Sequence, residues 1–210
     1  MKAHAPLVQI LLFVALLCCG TSGHSQSKAV SFDIFSSKTL SKSDLVHEET
    51  PTARPRVIKR GKQFFQVFTD KRTGRELFRI FVGTDEATYW VYGLIQENDY
   101  NGDGIPDFCW HGGDDTTNEN LILLSSPSGY VRVDINQSLQ REWTRRFPSN
   151  PLKDLNEADT TADVTEVRLV RQSGKLFLTA LISYTDIFKD DIKTYTHRVP
   201  VPESRFVHVK

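Results

Sequence analysis

The sequence predicts a mainly β protein: antiparallel sheets in a sandwich-like or partial propeller-like arrangement, with one short amphipathic helix near residues 135–147. Three observations carry this reading. Short apolar and aromatic runs, of strand rather than helix length, recur from residue 62 onward. Polar, glycine-containing turns separate several of them. A single segment carries apolar residues every fourth position instead.

The chain opens with a pattern of export, assigned to residues 1–23 as a signal peptide. Lys2 supplies the positive start, Leu7 to Leu17 the apolar centre, and Thr21 to Gly23 the small-residue exit. That apolar centre falls short of the roughly twenty residues a spanning helix needs, so no transmembrane anchor is expected. Secretion or delivery to a periplasm follows. Cys18 and Cys19 leave open a lipid-anchored surface form, although Leu17 stands where such signals carry Gly or Ala.

Residues 24–61 read as a flexible leader rich in Ser, Thr and Lys, with a brief apolar stretch at Val30 to Phe35 and a basic cluster at Arg54, Arg56, Lys59, Arg60 and Lys62. Residues 62–210 read as a single β domain. Phe64 to Phe68 and Leu77 to Val82 flank Asp70 to Gly74, which predicts a hairpin. Further strands are expected at Tyr89 to Ile95, Asp107 to His111, Leu121 to Leu124 and Tyr130 to Val133. A second hairpin is expected from Val167 to Val170 and Leu176 to Ile182 about Ser173-Gly174, followed by strands at Tyr195 to Val201 and Arg205 to Val209. The helix is announced by Ile135, Leu139, Trp143 and Phe147, with Asp134 as its cap and Pro148 as its stop; Arg141, Arg145 and Arg146 form its expected solvated face.

Charge is uneven along the chain although the formal sum is zero. Residues 28–80 hold twelve Lys/Arg against six Asp/Glu, and residues 81–131 hold nine Asp/Glu with no Lys or Arg. The middle of the chain therefore attracts cations, while no basic concentration over the folded body points to nucleic acid. Once the signal is removed Cys109 is the only cysteine, so no internal disulfide is available. It reads as a small buried apolar residue.

The acidic stretch contains the one motif with readable chemistry, Asp99-Tyr100-Asn101-Gly102-Asp103-Gly104-Ile105-Pro106-Asp107. Calcium takes six to eight oxygens, and alternate positions of a tightly curled loop can point at one centre. Asp99, Asn101 and Asp103 occupy positions 1, 3 and 5; Gly104 permits the sharp turn that presents the carbonyl of Ile105; Asp107 at position 9 completes the set. The competing reading is a plain surface turn, since Asn-Gly and Asp-Gly are also hairpin signals. An EF-hand is excluded by Trp110 at position 12 and by strand patterns on both sides.

This loop, with Phe108 after it, resembles the calcium loop of FG-GAP/VCBS repeats, the blades of integrin-α-like β-propellers. The resemblance covers about residues 89–133 as a single local copy. It implies that Asp99, Asn101, Asp103, the Ile105 carbonyl and Asp107 ligate Ca2+ between two antiparallel strands. A full ring cannot fit in the chain after the leader, and Asp154-Leu155-Asn156-Glu157-Ala158-Asp159 lacks the glycine and register of a second copy.

Two lesser candidates are a polar site at His111 with Asp114 and Asp115, and a glycosylation acceptor at Asn136-Gln137-Ser138. The expected function is an exported, non-enzymatic calcium-binding surface or interaction module, whose partner beyond the ion is an extracellular protein or glycan. The alternative is a secreted hydrolase with a structural calcium and a carboxylate-based active site, for instance Asp114 with Asp159. No G-x-S-x-G elbow, H-E-x-x-H helix or phosphate-cradling glycine loop supports catalysis.

Overall fold

Alternating side chains organise the chain into three antiparallel sheets, seen in a computed structural model that describes residues 28–34, 49–84, 92–113, 118–149, 162–186 and 193–210. Strands β1 (Val30–Asp33), β9 (Ala162–Gln172), β10 (Lys175–Asp186) and β11 (Lys193–Pro202) form a four-stranded sheet in the order β1-β9-β10-β11. Strands β2 (Ala53–Arg60), β3 (Gln63–Asp70) and β4 (Glu76–Gly83) form a three-stranded meander. The third sheet has the order β12-β8-β7-β6-β5, from β5 (Tyr92–Asn98), β6 (Asp107–Gly113), β7 (Asn118–Ser126), β8 (Gly129–Asp134) and β12 (Val207–Val209).

This five-stranded sheet is the middle layer because both its faces are apolar. Phe108, Trp110, Leu121 and Leu123 point one way and pack with Ala53, Phe68, Phe78 and Ile80 of the meander. Cys109, Ile122 and Leu124 alternate with them and pack with Leu169, Leu178, Ile182 and Val201 of the four-stranded sheet. A strand covered on both faces reads as an unbroken apolar run, which is why Leu121 to Leu124 shows no alternation. Each such Leu, Ile or Phe contributes about 1.5–3 kcal/mol by leaving water. A buried polar contact between meander and middle sheet is satisfied, with Trp110 Nε1 donating to Gln66 Oε1 at 2.9 Å.

The helix, α1 (Ile135–Arg146), forms where expected. Asp134 caps it, accepting from Gln137 N at 2.8 Å, and Ile135, Leu139 and Trp143 enter the core. Phe147 ends it and packs on Trp143 with ring centroids 4.6 Å apart. Arg141, Arg145 and Arg146 are exposed, as a solvated face requires, and two of them also engage a carboxylate. Glu142, buried between them, accepts from Arg145 and Arg146 and from Arg205 of the 3-10 turn Glu203–Arg205. Ser138 Oγ accepts from Val207 N at 2.8 Å, so the helix holds the C-terminal turn and the strand after it by one contact each.

The stretch read as a flexible leader departs from that expectation wherever it is described. β1 pairs with β9, Ile34 is fully buried, and β2 pairs with β3 along its whole length with Ala53 in the core. Both are edge strands with little apolar pattern of their own: in β1 only Phe32 is half-buried, and the inward side of β2 offers Ala53, Pro55 and Val57 between exposed arginines. Proline is tolerated there because an edge strand leaves one side unpaired. Residues 1–23, Tyr89 to Val91, Asp114, Asp115 and Asp154 to Asp159 lie outside the described residues.

Candidate metal centre

The acidic motif closes the hairpin between β5 and β6, whose last and first residues Asn98 and Asp107 face each other across the ladder. Two left-handed residues curl the connection, Gly102 at φ +86° and Gly104 at φ +80°. The carboxylates and the amide then bind the loop's own backbone. Asp99 accepts from Gly102 N at 2.6 Å and from Gly104 N at 3.3 Å. Asn101 Oδ1 accepts from Asp103 N at 2.9 Å, and Asp103 Oδ1 from Ile105 N at 2.8 Å. Asp107 Oδ2 accepts from Asn101 N at 2.9 Å. Asp99, Asn101, Asp103 and Asp107 are thus each tied to backbone N–H groups of the loop, while Ile105 remains 48% exposed.

A residue from the neighbouring strand completes this polar nest. Ser125, near the end of β7, donates its Oγ to Asp103 Oδ2 at 2.7 Å and its N–H to Asp107 Oδ1 at 2.7 Å. The amide nitrogen of Asn101 lies 3.0 Å from Ser125 Oγ, 3.2 Å from Ser125 O, 3.3 Å from Asp103 Oδ2 and 3.4 Å from Asp107 Oδ1. Two amide hydrogens face four oxygens, so the spot is richer in acceptors than its donor can serve. Ser125 lies 18 residues beyond Asp107, and sequence spacing could not have shown it.

Burial divides the two acids of the nest. Asp107 is 0% exposed, and among the described residues no Lys, Arg or His forms an ion pair with it. Desolvation raises its pKa, opposed by the hydrogen bonds from Ser125 and Asn101. Asp103, at the surface, is lowered, first by the Ser125 hydroxyl and then by the Ile105 N–H. A buried carboxylate without a cation is unfavourable unless it is protonated or meets a positive charge.

Asp99 stands apart from this group. Its carbonyl accepts from Arg171 Nη1 of β9 at 3.0 Å, and its Oδ1 lies 3.8 Å from the same nitrogen. The observed contacts thus join Asn101, Asp103 and Asp107 with Ser125, and give Asp99 a cationic neighbour that the spacing did not announce. Among the described residues no group of three or more His, Cys, Asp or Glu side chains is assembled to hold a metal. The donors that are assembled are all hard oxygens, and an ion drawing on them would use two carboxylates, an amide, a hydroxyl and backbone carbonyls. That chemistry fits calcium or magnesium and not the softer metals.

The lesser candidates resolve differently. His111 Nδ1 meets Asn120 Oδ1 at 2.5 Å, and Asn120 donates to Asn136 Oδ1 at 3.0 Å, while the acids first paired with His111 fall outside the described residues. Asn136 is 8% exposed and Ser138 fully buried, so the glycosylation motif is folded into the helix's inner face and closed to a transferase. Cys109 is buried, and burial raises its thiol to about 12, which makes it inert at neutral pH. No protein-family model, curated protein or solved structure matches this chain. Among the described residues no helix is long and apolar enough to cross a membrane.

Proposed function

We propose that this chain is an exported β protein that binds calcium in the loop Asp99–Asp107 and acts as a surface or interaction module rather than as an enzyme. The observation that supports this best is Asp107: a fully buried carboxylate lacking a cationic side-chain partner among the described residues, set beside Asp103 and an amide nitrogen crowded by four oxygens. A divalent cation supplies the missing charge, and Ser125 joins the ligand set through its hydroxyl or carbonyl oxygen. Asp99 enters the first coordination sphere only by turning from Arg171. The ion's role is structural, because the loop is pinned by β5, β6 and β7 at once. The resemblance to the FG-GAP/VCBS loop agrees with this reading on the loop residues alone. Calorimetric titration of the full chain with calcium tests it: heat with one-to-one stoichiometry, lost in Asp103→Ala, is expected, and no heat at millimolar calcium overturns it.

A further inference from the structure

The outer face of the β2–β3–β4 meander carries chemistry that the calcium loop does not use. Residues 49–84 hold nine Lys/Arg against three Asp/Glu. Ala53 of β2 and Phe68 of β3 enter the core, so strand alternation turns Arg54, Arg56, Ile58 and Arg60 outward. Ile58 pairs across the sheet with Phe65, and Phe65 with Phe81. The two rings touch edge to face, 5.8 Å between centroids, and Phe81 is 47% exposed. Three of the cations around this apolar row are not spent on ion pairs among the described residues. Arg54 pairs with Glu49 and Arg79 with Glu76, but Arg56, Arg60 and Lys62 are exposed and make no ion pair among the described residues.

We infer that this face docks on the surface of an anionic membrane. Guanidinium and ammonium groups ringing the exposed Phe81 and the half-buried Phe65 and Ile58 beside it match a lipid interface in both respects, phosphates for the cations and the headgroup–acyl boundary for Phe81. A hydrated anionic polymer would neutralise the charges equally well but leave Phe81 in water, which is why the lipid surface is the better fit. Docking brings Arg56, Arg60 and Lys62 within the ~8–10 Å over which the surface potential acts. It does not depend on the ion or on the loop, and it leaves the opposite side of the molecule facing solvent.

The test is co-sedimentation of the full chain, in chelator, with vesicles of phosphatidylcholine alone and of phosphatidylcholine mixed with phosphatidylglycerol. Binding to the mixed vesicles that disappears in high salt is expected. Each cation near such a surface is worth about 1 kcal/mol, or about fivefold in partition, so the triple variant Arg56→Gln/Arg60→Gln/Lys62→Gln falls by about a hundredfold. Phe81→Ser falls by about tenfold, and Tyr195→Ser, exposed on a different sheet, stays level. The apolar stretch Leu7–Leu17 is common to all variants, so the differences report this face. All substitutions sit at exposed positions, and unchanged melting temperatures verify the fold. Equal binding to neutral vesicles, or a triple variant that binds as well as the parent, overturns the proposal. Retention on heparin that depends on the same cations, without vesicle binding, overturns it in favour of a polysaccharide.

Discussion

Arg171 and Gly102 occupy the same space: a Cβ added to Gly102 would lie 2.6 Å from Arg171 Nη1. The guanidinium rests over the Phe32 ring of β1, donates to the Asp99 carbonyl, and reaches the Tyr100 carbonyl at 3.5 Å. Phe32 in turn meets Tyr100 edge to face at 5.1 Å. Two strands of the outer sheet thus hold the acidic loop through one arginine, and the missing side chain at 102 is what lets it in.

A double-mutant cycle reads this relationship. Gly102→Ala imposes an L-residue on φ +86° and also pushes Arg171 off the Asp99 carbonyl, so we expect about 2–3 kcal/mol of destabilisation in chelator. In an Arg171→Ala background only the backbone strain remains, and the same substitution is expected to cost about 1 kcal/mol less. Gly104, at φ +80° with nothing within 4 Å of its Cβ position, is the control. Gly104→Ala costs the same with or without Arg171. Urea melts of the five variants and the parent decide it, and strict additivity at position 102 would refute the coupling.

Within the nest, Asp103→Ala is expected to abolish calcium binding, because it removes a carboxylate that Ser125 and the Ile105 N–H hold in place. Ser125→Ala keeps both carboxylates but loses the hydroxyl that orients Asp103. About tenfold weaker binding is the expected outcome, in line with losing a residue that orients a ligand. Asp70→Ala, at the end of β3 and outside the nest, leaves affinity unchanged. Calorimetry on the three variants separates these cases, and an Asp103 variant that titrates like the parent rules out the assignment.

The strands of the described core were legible because their own residues form the core: Phe64 to Phe68, Leu121 to Leu124 and Leu176 to Ile182 carry enough apolar surface to declare themselves. So was α1, whose Ile135, Leu139 and Trp143 recur every fourth position while Gln137 and Arg141, which a strand would place on that same face, are polar. β1 and β2 were not, because an edge strand can be held by backbone ladders and one or two small inward side chains. At the loop, the turn glycines and the alternate acids were readable as spacing. Ser125 and Arg171 were not, since each arrives from a strand whose place beside the loop only the sheet order defines. Arg141, Arg145 and Arg146 do form the exposed face expected of them; what spacing did not show is that Glu142 is buried beneath that face and also accepts from Arg205, which folds back from the C-terminal turn.

That carboxylate gives a pH prediction with a definite sign. Hydrogen bonds from Arg145 first, then from Arg146 and Arg205, hold Glu142 down to about 2, against 4.5 for a free side chain. The unfolded chain therefore binds the proton more tightly, and the stability Glu142 contributes is present above pH 4.5 and lost as pH falls from there toward 2. Its arginine partners are one-third to one-half exposed, so the contribution is placed at about 1–2 kcal/mol rather than the larger figure the shift alone gives. Glu142→Gln should lower stability at pH 7 and flatten its acid dependence between those limits. Urea melts at pH 7, 4.5 and 3 check this, and a variant whose stability falls with acid as steeply as the parent's would exclude it.

The proposed ion acts on stability and leaves the conformation in place. Calcium sites of extracellular modules have dissociation constants of about 0.1–1 mM, suited to a compartment where the ion is always present. At about 1 mM calcium and a constant near 0.1 mM, binding adds about 1.4 kcal/mol. For a domain of this length that lowers the melting temperature by about 3–6 °C on chelation. No large rearrangement should accompany it. Asn98 and Asp107 are locked in register, Tyr100 is packed against Phe32, and the Tyr130 hydroxyl donates to the Pro106 carbonyl at 2.9 Å, so both ends of the loop are fixed without the ion. Buried Asp107 is what the ion relieves, and its raised pKa supplies a second signature. A proton competes with calcium there, so the gap between the melting points with calcium and with chelator narrows as pH falls toward that raised value. Paired thermal melts and far-UV spectra at pH 7 and at pH 5 make the comparison. Identical melting points with and without calcium would remove the structural ion, and a wholesale change of spectrum would make the loop a switch instead.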